Sequence, residues 1–107
     1  MALPARQEPA DTGREPLDRD AAETLARTLR AVADPTRLQV LSMLAHSADE
    51  EATVTDLAVA LGLTQPTVTH HLKILVEDGI LDRERRGKHV WHRLSPERRA
   101  AVLDLVR

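Results

Sequence analysis

The 107-residue chain has no cysteine, no tyrosine and no phenylalanine, and its single tryptophan is Trp91. Without thiols there can be no disulfide, thiolate metal site, redox switch or cysteine nucleophile. With one large aromatic ring, the core must come from Leu, Val, Ile and Ala, which favours packed helices over an all-β sandwich. Glycines are few, and none forms a phosphate-cradling loop. Long apolar runs are missing too: no stretch suits a membrane span, and the start lacks the basic residues and apolar core of a signal peptide. No constellation of nucleophile, general base and orienting partner appears. These absences lead to the expectation of a soluble cytoplasmic protein that is not an enzyme, needs no cofactor and has no membrane partner.

What is present is unevenly distributed. Residues 1–19 hold three of the six prolines and almost no aliphatic bulk. That composition cannot offset the entropy of ordering, so 1–19 are expected to be a disordered tail and 20–107 one folded domain. The net charge of −2 argues against a nucleic-acid partner, but its distribution argues for one. Residues 49–56, DEEATVTD, are acidic, whereas 83–93, RERRGKHVWHR, carry five basic groups against one acid. A local basic stripe matters more than the whole-chain sum, although a solvated hairpin is an equally good reading of the stripe alone.

Asp20 with Glu23 resembles a capping box, and Leu25, Leu29 and Val32 follow at helical spacing, which predicts a helix from about 21 to 33. Asp34-Pro35 ends it and starts a second, with Leu38, Leu41, Leu44 and Ala45 on one stripe. HSADEE is expected as a loop. A short third helix spans about 56 to 61, capped by Thr55 and stopped by Gly62. Thr64 caps a fourth that runs to Gly79. Two helices joined by three residues including a glycine are the signature of a helix-turn-helix. ILDRERRGKHVWHRL then reads as two strands around Arg86-Gly87, with Val90, His92 and Leu94 on one face and His89, Trp91 and Arg93 on the other. Ser95-Pro96 opens a last helix, 96–107, with Val102, Leu103 and Val106 apolar. The fold class is mainly α with a small β-hairpin, in the order α-α-α-α-β-β-α.

The fourth helix, TQPTVTHHLKIL, carries two adjacent histidines. Val68, Leu72, Leu75 and Val76 share the core face, with His70 and Lys73 opposite and His71 on the flank. Successive residues diverge by roughly 100°, so the pair does not chelate one ion easily; a helical metal pair prefers i, i+4 spacing. Base reading suits the helix better. Gln can bond adenine twice, Thr a base edge or a thymine methyl, and His or Lys a guanine or phosphate. Thr64, Gln65, Thr67, Thr69, His70, His71 and Lys73 are therefore candidate DNA-binding residues. The bland alternative is an amphipathic helix whose polar face is merely wet.

LRAVADPTRLQVLSML and VTDLAVALGLTQPTVTHHLKILVEDGILDRERRGKHVWHRLS together resemble the ArsR/SmtB family of winged helix-turn-helix repressors, over residues 22 to 107. The resemblance implies a homodimer joined by the first and last helices. It also implies that the helix-turn-helix enters the DNA major groove while the hairpin forms a wing. Arg85, Arg86 and Lys88 fall at the wing tip, where phosphate contacts set affinity more than specificity. The expected function is repression from an inverted-repeat operator.

Many relatives respond to metals, and one recurrent site is a pair of cysteines at the start of the third helix. Thr53 and Thr55 stand in those places. Another site uses His with Asp or Glu on the last helix, which here offers Glu97 and Asp104 but no histidine. His46, Asp49, Glu50 and Glu51 form a weaker, non-standard candidate cluster. His89 and His92 face opposite ways; His92 reads as a core histidine, and Trp91 as a packing residue on the hairpin or across a dimer. The alternative function is a winged-helix protein-interaction module, suggested by the acidic 49–56 segment.

Overall fold

The computed structural model describes residues 15–106, so most of the tail expected at 1–19 lies outside the described residues. Helix α1 runs Arg19–Val32 and begins earlier than the spacing predicts, because Asp18 rather than Asp20 caps it. The Asp18 side chain accepts from the Ala21 N–H at 2.8 Å, which leaves Asp20 to the first turn, where the helix dipole favours an acid. Helix α2, Pro35–Ala45, starts where the sequence indicates: Asp34 caps it by accepting from the Arg37 N–H at 2.9 Å. Its buried residues are Val40, Leu41 and Leu44, while Leu38 is exposed.

HSADEE is not simply a loop. A single 3₁₀ turn, Ala48–Glu50, leads into a three-residue strand, β1, Glu51–Thr53. That strand takes the place of the predicted helix cap, so helix α3, Val54–Leu61, starts earlier and is capped by Thr53, not Thr55. Gly62 ends α3 in the left-handed conformation (φ 68°) that allows the chain to turn at once into the next helix. Helix α4, Gln65–Glu77, is capped by Thr64. Strands β2, Leu81–Arg86, and β3, His89–Leu94, form a hairpin with Gly87-Lys88 as its two-residue turn. The turn lies one residue beyond the predicted Arg86-Gly87, with Gly87 (φ 61°) at its first position, where a primed turn demands glycine.

Strand β3 is central, paired antiparallel with β2 on one side and β1 on the other. Helix α5, Arg99–Val106, is shorter than the predicted 96–107; Arg107 lies outside the described residues. Ser95 cannot cap it, because the Ser95 hydroxyl is buried and donates to the Gly79 carbonyl at 2.7 Å. The residues that follow turn instead, with the Arg98 N–H donating to the Ser95 carbonyl. Five helices and the small sheet together give the winged helix-turn-helix that the resemblance implies.

The core joins Val40, Leu41 and Leu44 of α2 to Leu57 of α3, Val68, Leu72 and Leu75 of α4, and Ile80, Leu81 and Leu94 beside them. Burying aliphatic side chains of this size contributes about 1.5–3 kcal/mol each, so α4 is held mainly by its inner face. A polar clamp fixes its far end: Thr28 of α1 donates to Asp78 at 2.9 Å, and Arg98, 3.6 Å from the same carboxylate, donates to Thr28. Among the described residues no helix is long and apolar enough to cross a membrane.

Candidate nucleic-acid interface

Since Val68, Leu72 and Leu75 point into the core, α4 must turn its other face outwards. Thr64, Gln65, Thr67, Thr69, His70 and Lys73 are all exposed on it. Short polar side chains occupy the first turn, where the unpaired N–H groups and positive end of a helix attract phosphate. Thr64 and Thr67 hydroxyls lie 2.9 Å apart, and the Gln65 side-chain amide donates to the Thr55 hydroxyl at 3.4 Å. Thr55, released from capping, thus steadies the first side-chain amide of the outward face of α4.

The wing lies beside that end of α4. A cleft of about 190 Å³ is lined by Thr53, Thr55 and Gln65 on one side and by Lys88, His89 and Val90 on the other. Lys88 and Arg85 are exposed and form no ion pair among the described residues; Arg85 donates only to the Gly87 carbonyl.

Arg86 behaves differently from its neighbours. Its guanidinium donates to both Glu51 carboxylate oxygens, at 2.6 and 2.9 Å, and to Glu84, and it stacks 5.1 Å from the Trp91 ring. Those hydrogen bonds hold the Glu51 carboxyl below the usual carboxylate range and make the Arg86 guanidinium harder still to deprotonate. Of the three wing-tip residues predicted to meet DNA, two are free and Arg86 is already engaged. The missed strand is the cause: β1 places Glu51 beside the hairpin, so part of the acidic segment neutralises part of the basic stripe.

His71 also departs from the exposed set. Its side chain is only 16% exposed and lies 3.8 Å from the Asp34 carboxylate. Its Nδ1 is 3.2 Å from an Arg37 guanidinium nitrogen. It faces helix α2 rather than the open side of α4. Arg37, which was not among the candidate residues of the sequence, is its partner.

The acidic candidates for a metal are dispersed. Glu50 is bound by Arg99, with contacts of 2.5 and 2.8 Å, which lowers its carboxyl pKa. Glu51 is bound by Arg86, and the His46 ring is 2.8 Å from the Ser42 carbonyl. Among the described residues no group of three His, Asp or Glu side chains converges. His92 is buried on β3, and desolvation, with the charge of Arg83 second, lowers its pKa to about 4.

Comparison with known proteins agrees with this geometry. Residues 34–83 match the model of the arsR family of bacterial regulatory proteins. The chain is 38% identical to the HTH-type transcriptional regulator NmtR of Mycobacterium tuberculosis over 89 residues, 83% of this chain and 72% of that protein. It is 36% identical to the transcriptional repressor SmtB of the same species, covering 94% of this chain and 77% of the relative. Among solved structures, HlyU of Vibrio cholerae superposes with a TM-score of 0.73 at 30% identity, covering 83% of this chain and 94% of HlyU. A homodimeric winged helix-turn-helix DNA-binding domain from Mycobacterium bovis superposes at 0.71 with 32% identity, covering 87% and 85%.

Proposed function

The chain belongs to the ArsR family of bacterial regulatory proteins and is a DNA-binding transcriptional regulator, and on that premise we propose that it acts as a homodimeric repressor that reads an inverted-repeat operator in the cytoplasm. The observation that carries the reading is the exposed row Gln65, Thr67, Thr69, His70 and Lys73 on a helix whose opposite face is locked into the core. Gln65, Thr67, Thr69 and His70 meet base edges; Thr64, Lys73, Arg85 and Lys88 meet phosphates. Arg86 shapes the wing by holding Glu51 and Glu84, and His71 supports the reading helix from behind. The folded unit that does this begins at the Asp18 cap of α1, two residues ahead of the boundary expected at 20.

Dimerisation is supported by what α1 and α5 leave uncovered. Leu25 and Leu29 are 45% and 52% exposed on one face of α1, and Leu105 is 60% exposed on α5. Leu17, Ala21 and Leu25 line an open, largely apolar cleft with Ala101 of α5. A second copy covering this strip would remove several half-exposed leucines from water at about 1 kcal/mol each. It would also place two reading helices about one DNA turn, roughly 34 Å, apart.

Footprinting on the duplex that the protein selects from a random library tests the reading. Two protected major-groove segments, on one face and one turn apart, are expected. A single protected segment, or none, contradicts it.

A further inference from the structure

The reading helix is pinned at its far end by the Thr28–Asp78–Arg98 clamp. The packed aliphatic face holds α4 in place, but apolar packing is non-directional, so the fine roll of the helix is set by directional polar contacts. One side chain supplies such contacts near the middle of α4. Arg37 Nε donates to the Ala31 carbonyl at the end of α1, at 2.5 Å, and its Nη1 is 3.2 Å from His71 Nδ1. The Asp34 carboxylate, which accepts from the Arg37 backbone N–H at 2.9 Å, is 3.8 Å from the same imidazole nitrogen. Because a guanidinium can only donate, a hydrogen bond between the two requires Nδ1 of His71 to be the acceptor. The His71 ring in turn meets the exposed His70 ring edge-on, with centroids 5.8 Å apart and an interplanar angle of 61°.

We propose that Arg37 and His71 are positioning residues for base reading: they tie the roll of α4 to the end of α1 and fix the direction of His70, without touching DNA. The proposal rests on α4 being the reading helix and adds how its register is held. Two contacts from one planar group, to the Ala31 carbonyl and to His71, restrain orientation in a way that apolar packing does not. A helix free to roll still offers its charges to phosphates, which tolerate displacement, but misaligns the bidentate contacts to base edges. Specificity should therefore fall while salt dependence stays.

The test uses the duplex selected by the wild-type protein and a scrambled duplex, titrated at several salt concentrations, with thermal midpoints measured on the same preparations. Arg37→Ala and His71→Leu should each lower the preference for the selected duplex by about tenfold, the worth of one good base contact. The double variant should lose no more than either single one. The slope of affinity against salt should not change. His71→Asn, whose amide oxygen can stand where Nδ1 accepts, should retain most of the preference. Should Arg37→Ala fail to fold, the contrast between His71→Leu and His71→Asn carries the test, because both keep Arg37.

The proposal is overturned if Arg37→Ala weakens both duplexes alike and lowers the salt slope by about one unit, the behaviour of a phosphate contact. It is equally overturned if the two single losses multiply, or if His71→Asn is as deficient as His71→Leu. If the wild-type protein itself shows no preference for any duplex, the reading function has failed, and that outcome is distinct from all of these.

Discussion

Replacing His92 by leucine should make the protein more stable, and increasingly so as the solution becomes acid. The ring is 4% exposed, opposite Ala52 of β1 and Arg83 of β2, and its Nδ1 is buried without a hydrogen-bond partner. Desolvation, helped by Arg83, brings the imidazole from its ordinary 6.5 to about 4. The unfolded chain therefore takes up this proton near pH 6.5 and the folded chain near pH 4. Between those values the unfolded state binds more protons, so stability is lost as the pH falls; well above 6.5 neither state is charged and the effect vanishes. Linkage gives at most about 2 kcal/mol lost at pH 5 and about 3 kcal/mol at pH 4. Leucine removes the titration and also the orphaned nitrogen, whose burial costs about 1–3 kcal/mol. His92→Leu should thus be no less stable than wild type at pH 7.5, with an advantage about 2 kcal/mol larger at pH 5. Urea unfolding followed by circular dichroism at four pH values measures the difference directly. Asp34, Glu50 and Glu51, whose carboxyls are held low by arginines, lose their contributions at more acid pH and equally in both proteins. A difference that stays constant from pH 7.5 to 5 refutes the reasoning.

The exposed leucines and the wing supply further tests. Leu25→Lys places a charge on the uncovered face of α1 at a site already half in water, so the monomer should fold; sedimentation should show loss of the dimer, and affinity for the full inverted repeat should drop by roughly 100-fold as avidity disappears. Lys88→Ala should reduce the slope of log affinity against log salt by about 0.9, whereas Arg86→Ala should leave that slope unchanged, because its guanidinium already belongs to Glu51 and Glu84. Equal slopes for the two wing variants would show that Arg86 leaves its carboxylates to meet DNA.

Much of this molecule was legible in the sequence because its signals are local and repeated. The caps Asp34 and Thr64, the stop at Gly62 and the apolar spacing of 68, 72 and 75 each act within a few residues of themselves. The outward face of α4 follows from the inward one. What escaped was decided by partners distant in sequence. Strand β1 is three residues long and exists because β3 offers it an edge, so no periodicity announces it. Its arrival moved the α3 cap from Thr55 to Thr53 and turned Arg86 towards Glu51. The histidine pair divides for a related reason: helix geometry put His71 on the flank, but only packing showed that Arg37, 34 residues away, waits there. Ser95 had the composition of a cap and was taken by the Gly79 carbonyl instead.

The central claim is that the exposed face of α4 reads bases while the wing binds backbone. The most direct measurement is the affinity of wild type and Gln65→Ala for the selected duplex and for a scrambled one, at one fixed near-physiological salt concentration. The account predicts a marked wild-type preference for the selected duplex. Gln65→Ala should lose about 1–3 kcal/mol of that preference while binding the scrambled duplex as before. Equal wild-type affinity for both duplexes, or a Gln65→Ala loss shared equally between them, would contradict it.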